Sequence, residues 1–396
     1  MRIPAAKFPP DPALARWLRG WITRRLAHPL PRGPRVRRFR AAIVKVDRLG
    51  DFVLALAAIR QALIHFGEEQ CLLLISPQVE PFAVREFPRT PRLVLPPAVG
   101  HKRLLWEGRK ARALLRDIAC EEVVCFRHQR WDWDELMLLW PGGQRCHVLD
   151  DPENLDYFAA RNTFSFPAWP RVNFVPPPLP AETATGARWC RELWMHRQLL
   201  AGVTGREVSA EEVLPRFERM GRLPTTAGIL VSPLGSHALR DFPETQLGDA
   251  LQTLRRHSAS PIMLYGDASQ RPRLLRLAER LRARGLDQVE CAATRGTVEF
   301  AEAISQAELV LTVETSTAHI ATALDRPTIV LIGGGHYGQF APWRRSARQI
   351  WLTHRLDCFG CGWRCPYPAP YCLTRIVAEQ VGAAVRAVLG RAEGAT

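Results

Sequence analysis

The sequence predicts an α/β protein of two doubly wound domains that face a central cleft. Three observations predict it. Buried strand segments alternate with amphipathic helix segments in both halves, the pattern of parallel sheets covered on both faces. A chain of 396 residues is too long for one ordinary core and suits two. Each half also holds a strand–loop–helix junction with small or charged residues at the turn. The first runs Ile43-Val44-Lys45-Val46-Asp47-Arg48-Leu49-Gly50-Asp51-Phe52, and the second Leu309-Val310-Leu311-Thr312-Val313-Glu314-Thr315-Ser316-Thr317-Ala318-His319. Open α/β sheets bind ligands at such junctions.

Residues 1–40 read as a basic extension. Within it, residues 12–26 space Leu14, Trp17, Leu18, Trp21, Ile22 and Leu26 at a helical period, with Arg16, Arg19, Arg24 and Arg25 between them. The first domain, 41–204, has expected strands at 41–46, 71–76, 92–95 and 121–127, each a short apolar run. Its expected helices lie at 53–66, 107–119, 131–140 and 182–201. Pro176-Pro177-Pro178 is a stiff spacer, and the polar stretch 205–226 links the halves. The second domain, 227–396, repeats the alternation, with strands at 229–233, 261–265, 289–292, 309–313 and 328–332. Helices are expected at 245–257, 271–284, 298–306 and 316–324, with a closing helix at 374–389 after a cysteine-rich loop at 358–372.

The formal net charge of +15 favours acidic partners: nucleic acid, anionic lipid or phosphorylated substrates. No recognised nucleic-acid module accompanies the charge, so no nucleic-acid partner is expected. The basic, tryptophan-bearing segment reads either as a helix packed on the first domain with its arginines in water, or as one lying on an anionic membrane surface. No apolar run reaches the length of a membrane span, and residues 1–10 lead into charged residues rather than an apolar secretory core. The expected location is the cytoplasm, peripheral on the inner face of the cytoplasmic membrane.

Four stretches could carry chemistry. Asp51 follows Gly50 where a strand gives way to a helix. It is either the helix cap, a favoured place for Asp, or a general base at the floor of the cleft. The second role meets a tension, because a helix N-terminus lowers carboxylate basicity and a base needs desolvation to offset that. Lys45, Arg48 and Gly50 complete this acceptor-side loop. In the second half, Thr315, Ser316 and Thr317 offer hydroxyls and N–H groups to a pyrophosphate at a helix tip. Glu314 could accept from sugar hydroxyls, and His319 could donate to a phosphate or leaving oxygen. The plainer reading is that Thr315 or Ser316 caps the helix while His319 packs inside. Gly235 and Ser236 allow close backbone approach, and Arg240 could grip a diphosphate. Asp267, at the end of another strand, could meet a ribose.

The order Val44-Lys45, Gly50-Asp51, then Gly235-Ser236 to Arg240-x-Phe242-Pro243, then Val313-Glu314-Thr315-Ser316-Thr317-Ala318-His319, resembles glycosyltransferase family 9, the ADP-heptose:lipopolysaccharide heptosyltransferases. The resemblance covers roughly 41–389. It implies a GT-B fold of two Rossmann-like domains and an inverting, metal-independent transfer from a nucleotide sugar, with no cofactor required for catalysis. On this resemblance Asp51 falls on the family's base, residues 315–319 on its donor loop, and Arg240 on its basic residue before the aromatic–proline pair. The implied partners are a nucleotide-sugar donor, ADP-heptose first, and a lipopolysaccharide-type glycan or glycolipid acceptor. Two departures bear on the sugar: Glu314-Thr315-Ser316 stands where the family has Asp-Thr-Gly, and Phe242 where it often has Trp. The alternatives are a nucleotide-sugar epimerase on the same fold and a non-catalytic, degenerate transferase acting as a membrane-associated scaffold.

Of ten cysteines, six are scattered, some in apolar segments (Cys71, Cys125, Cys291), as free buried thiols often are. The other four form Cys358-x2-Cys361-x3-Cys365-x6-Cys372. That spacing could surround zinc or hold an iron–sulfur cluster. Reduced thiols compete with this reading, as do disulfides if the chain meets an oxidising compartment.

Overall fold

The computed structural model describes residues 13–28, 30, 36–96, 101–128, 132–149, 171–174, 190–221, 223–225, 227–294 and 296–389. The chain divides into two compact units, one from Arg2–Pro178 and Glu192–Leu214, the other from Leu179–Arg191 and Pro215–Thr396.

In the N-terminal unit the described elements run α1 (Ala13–Leu26), β1 (Arg37–Lys45), α2 (Leu49–Phe66), β2 (Cys71–Ile75), α3 (Glu80–Glu86), β3 (Arg92–Val94), α4 (His101–Leu115), β4 (Ile118–Cys125), α5 (Asp132–Leu139), β5 (Arg145–Leu149), β6 (Arg171–Phe174), α6 (Arg191–Thr204) and α7 (Ala210–Val213). The strands form a parallel sheet in the order β3-β2-β1-β4-β5-β6. β1 is central, and Val44 pairs with Leu74 on one side and Cys125 on the other. Its start is largely exposed, but Ala41–Lys45 is buried on both faces, which is why it reads as a continuous apolar run.

α2 is long and apolar enough to cross a membrane by length and composition, contrary to the expectation that no run reaches that length. Eleven of its residues, among them Phe52, Leu56, Ile59 and Phe66, are buried in the unit. Its all-round apolar character therefore reflects a core position, flanked by β1 and α7.

The C-terminal unit comprises β7 (Ala227–Ser232), α8 (Glu244–His257), β8 (Ile262–Asp267), α9 (Arg271–Ala283), β9 (Val289–Thr294), α10 (Thr297–Gln306), β10 (Ala307–Val313), α11 (Ser316–Ala323), β11 (Thr328–Leu331), β12 (Gln349–Leu352), α12 (Tyr371–Thr374) and α13 (Ala378–Leu389). Its parallel sheet runs β12-β11-β10-β7-β8-β9. Counted within the unit, this is the winding of the first sheet again, and it is the dinucleotide-fold order. The core gathers Val231, Leu264, Leu311 and Leu331 from the sheet with Leu251, Leu281 and Val385 from the helices. The winding reverses between β1 and β4 in one unit and between β7 and β10 in the other. At a reversal the flanking crossovers diverge and leave a crevice beyond the carboxyl ends of the strands.

Several expected boundaries move. The helix expected at 107–119 is α4, which stops at Leu115. Ile118 continues the helical apolar period, but its backbone pairs with Arg37 and opens β4. α3, β5, β6 and β12 were not expected: three are strands of only four or five residues, and α3 is a seven-residue helix. The linking stretch contains α7, whose Ser209 and Glu212 form a reciprocal capping box. The closing helix is interrupted after Thr374 and resumes at Ala378. The helix expected at 182–201 is α6; positions 182–189, Pro176–178 and Trp131 lie outside the described residues.

Candidate functional site

Each winding reversal carries a cluster of charged side chains. In the N-terminal unit it is built on Lys45, the last residue of β1, which is 1% exposed. Lys45 Nζ lies 2.8 Å from Asp47 Oδ2 and 3.8 Å from Glu192 Oε1, and donates to the Phe126 carbonyl at 2.8 Å. Burial alone would discharge the ammonium; Asp47 and Glu192 outweigh it and hold the pKa above its ordinary value. Asp47 Oδ1 meets Arg127 at 2.9 Å, and Arg127 also reaches Asp134 at 3.1 Å. Burial pushes Asp47 up, but Arg127 and Lys45 pull it down further. Ser76 and Gln78 donate to the Asp47 carbonyl at 2.8 and 3.2 Å and pin the loop.

Asp51 sits above this array as the third residue of α2. The helix starts at Leu49, so Arg48 holds the cap position, without a side-chain cap bond. The capping role considered for Asp51 therefore does not hold. Burial, then repulsion from Asp47, push its carboxyl up to about 6 against the attraction of Lys45. Desolvation thus wins over the helix N-terminus. A carboxylate of that basicity suits proton abstraction near neutral pH. Arg48 is exposed and Gly50 half-buried at the same turn.

In the C-terminal unit, the loops after β7 and β10 meet. Arg240 contacts Glu314 Oε2 at 2.6 Å, donates to the Glu314 carbonyl at 2.6 Å and to Ser236 Oγ at 3.2 Å, and lies over the Trp363 ring at 5.3 Å. Its Nε is buried without a hydrogen-bond partner. Gly235 is required for this approach: a Cβ there would stand 2.6 Å from Arg240 Cβ. Its N–H donates to Asp241 at 2.8 Å.

His319 is buried and stacks on Trp343 with rings 7° from parallel. Trp343 Nε1 donates to His319 Nδ1 at 3.0 Å, which leaves the proton of the neutral ring on Nε2, 3.8 Å from Glu314 Oε1. Burial pushes Glu314 up, but His319 and Arg240 more than offset it, and the carboxyl sits below its ordinary value. Glu314 is thus an anionic pivot that orients an arginine and an imidazole, rather than a free acceptor for sugar hydroxyls.

At the tip of α11, Thr315 holds the cap position without a side-chain cap bond, so the first amides of the helix keep no intrahelical acceptor. The hydroxyls behave differently from expectation. Thr315 Oγ1 donates to the Val313 carbonyl and Thr317 Oγ1 to Ser232 Oγ, because both fold back onto strand ends. Amides, with the half-buried Ser316, are what this tip presents. Asp267 is exposed at the end of β8, one oxygen capping the turn through the Ser269 and Gln270 amides at 2.7 and 3.2 Å.

The structure adds residues that the sequence reading missed: Asp47, Arg127, Asp134, Glu192, His196, Trp343 and Trp363. The Glu192-x3-His196 spacing on one helix was a usable signal; Arg127 and Trp343 had none. His128, Glu192 and His196 place ligand atoms within 4.8 Å of one another, the one such trio among the described residues. Lys45, 3.8 Å from the Glu192 oxygen that faces His196, already supplies a cation there.

The four C-terminal cysteines line one pocket with Trp363 and Tyr371, but form no trio of that tightness. All are free thiols. Burial pushes Cys361 and Cys372 up.

Residues 226–362 match glycosyltransferase family 9 (heptosyltransferase). No curated protein matches the chain. Among solved structures, E. coli heptosyltransferase WaaC with ADP-2-deoxy-2-fluoro heptose is 20% identical, with a TM-score of 0.58 over 88% of this chain and 98% of that one. E. coli ADP-heptose lipopolysaccharide heptosyltransferase II is 13% identical, with a TM-score of 0.59 over 90% and 100%. The iron-containing dodecameric glycosyltransferase TibC from enterotoxigenic E. coli is 12% identical, with a TM-score of 0.50 over 91% and 78%.

Two parallel α/β units of this winding are the GT-B architecture, and the class they define with the matched domain is the glycosyltransferases. More particularly, the C-terminal unit carries a family 9, heptosyltransferase-type domain, and the matched stretch includes Arg240, Glu314, His319 and Trp343.

Proposed function

We propose that the chain is an inverting, metal-independent transferase that moves a sugar, heptose first among candidates, from an ADP-linked donor to a hydroxyl of a lipopolysaccharide-type glycan or glycolipid. The observation that carries this reading is Asp51, raised to about 6 at the first winding reversal. Asp51 takes the acceptor's hydroxyl proton as the oxygen bonds to the anomeric carbon and the bond from that carbon to the diphosphate breaks. Burial and the neighbouring Asp47 keep Asp51 basic against the pull of Lys45 and Arg127.

The nucleotide diphosphate leaves with its charge on Arg240, the α11 amides and Nε2–H of His319. Gly235 and Ser236 bring the β7 loop close to the phosphates, and Asp267 keeps one oxygen for the ribose. The WaaC structures hold ADP or an ADP-heptose analogue, which supports ADP as the first nucleotide to test. On this reading the acceptor is met at the cytoplasmic face of the membrane.

A thermal-shift panel of nucleotide diphosphates tests the donor half. Selective stabilisation by ADP is expected, and no response to any nucleotide contradicts the reading in favour of a scaffold. Product analysis with labelled donor tests the chemistry: transfer is expected, and a free epimer without transfer contradicts it. EDTA leaves turnover unchanged on this reading. For Cys358, Cys361, Cys365 and Cys372 the reading is four reduced thiols; one zinc or iron per chain that disappears in Cys361→Ser overturns it.

A further inference from the structure

α1 has two apolar stripes where a helix docked on one domain needs one. Ile22 and Leu26 are buried at 5% and 3%, and Gly20 and Thr23 lie on the same inward side. Arg112 of α4 donates to the Leu26 and His28 carbonyls, and Trp140 Nε1 donates to the Leu26 carbonyl at 2.9 Å. A Cβ at Gly108 would strike Leu26, so α1 and α4 are in close contact. These contacts hold the inward side of the helix on the unit.

The second stripe is unaccounted for. Leu14, Trp17, Leu18 and Trp21, at i, i+3, i+4 and i+7, are 75%, 61%, 37% and 39% exposed. Arg24 and Arg25 are exposed at the end of the stripe, and Arg25 lies over the Trp21 ring at 5.3 Å. The first turn holds no acidic residue. The neighbouring α4 repeats the composition: Trp106 and Leu114 are 64% and 46% exposed, and Lys110, between them on the same stripe, lies over the Trp106 ring at 5.4 Å. Trp21 and Trp106 thus each have a cation on the ring. Six of the eleven most exposed large apolar side chains among the described residues lie on these two helices.

We infer that α1 and α4 form a docking face for an anionic bilayer, with the tryptophans and leucines in the headgroup region and Arg24, Arg25 and Lys110 among lipid phosphates. Tryptophan beside arginine or lysine is the composition that an interface rewards, because the ring is amphipathic and the cation meets anionic headgroups. A protein partner for the same stripe lacks support in the cations that flank it, whereas the charge matches a lipid surface. The inference stands apart from the transfer chemistry, since it uses none of the residues assigned there.

The test is co-sedimentation of the full chain with vesicles of phosphatidylethanolamine and phosphatidylglycerol against vesicles of phosphatidylcholine. Binding to the anionic vesicles is expected, weakened by salt. Trp17→Ser with Trp21→Ser should lower it about tenfold or more, and Trp106→Ser should lower it severalfold, with blue-shifted tryptophan emission lost in step. All these positions are exposed, so an unchanged Tm is expected and separates docking from folding. Equal binding to neutral vesicles, or unchanged binding by the Trp17/Trp21 variant, overturns the inference. Unchanged binding by Trp106→Ser removes α4 and overturns the two-helix face.

Discussion

Asp51 carries opposite consequences for stability and for activity. Its carboxyl ordinarily titrates at 3.8 and is raised to about 6 in the folded chain. The folded state therefore binds the extra proton between those values. The stability this group contributes is present below about pH 4 and is lost as pH rises through about 6. Asp51→Asn should thus stabilise the chain at pH 8, by on the order of 1 to 3 kcal/mol, and change little at pH 4. Urea denaturation at both values checks this. The same proton sets activity with the opposite sign: kcat/KM should climb as pH rises through about 6, as the base loses its proton. At the other reversal, Arg240→Ala should weaken ADP binding about 10- to 100-fold by calorimetry. Arg240→Lys should recover only part of this, because a point charge cannot hold Glu314 and a phosphate together.

At the scale of elements, the loops matter through what they allow to approach. A methyl at Gly235 meets Arg240 at 2.6 Å, and one at Gly335 meets the Trp363 ring at 2.5 Å, on which Arg240 lies. Gly235→Ala and Gly335→Ala should each lower ADP affinity severalfold more than they lower Tm, checked by calorimetry beside thermal melts. Local patterning made these loops legible: Gly50-Asp51, Gly235-Ser236 and Thr315 to His319 all stand where an apolar run stops. What surrounds them was not legible. Arg127 comes from the end of β4 and Glu192 from α6, and only the sheet order brings them to Lys45. The hydroxyls of Thr315 and Thr317 misled for a related reason: their partners lie on strand ends that the helix period does not reveal. The short strands β5 and β12 escaped because each holds only three apolar residues, which fit a helix turn equally well.

For the whole molecule, the proposed function divides the labour between the repeated windings: a base in one unit and an anion seat in the other. Alternation of strands and helices in the sequence foretold two parallel sheets, yet the matching strand orders are tertiary facts that no single segment encodes. The division predicts that ADP slows amide exchange at the β7 and β10–α11 loops of the C-terminal unit and leaves the α2 amides of the other unit unchanged. Exchange followed by mass spectrometry checks this. The most direct measurement is sugar transfer from ADP-heptose by Asp51→Asn alongside its affinity for ADP. The account predicts turnover reduced by about a thousandfold or more with affinity within about twofold of the parent. Turnover equal to the parent's would contradict it.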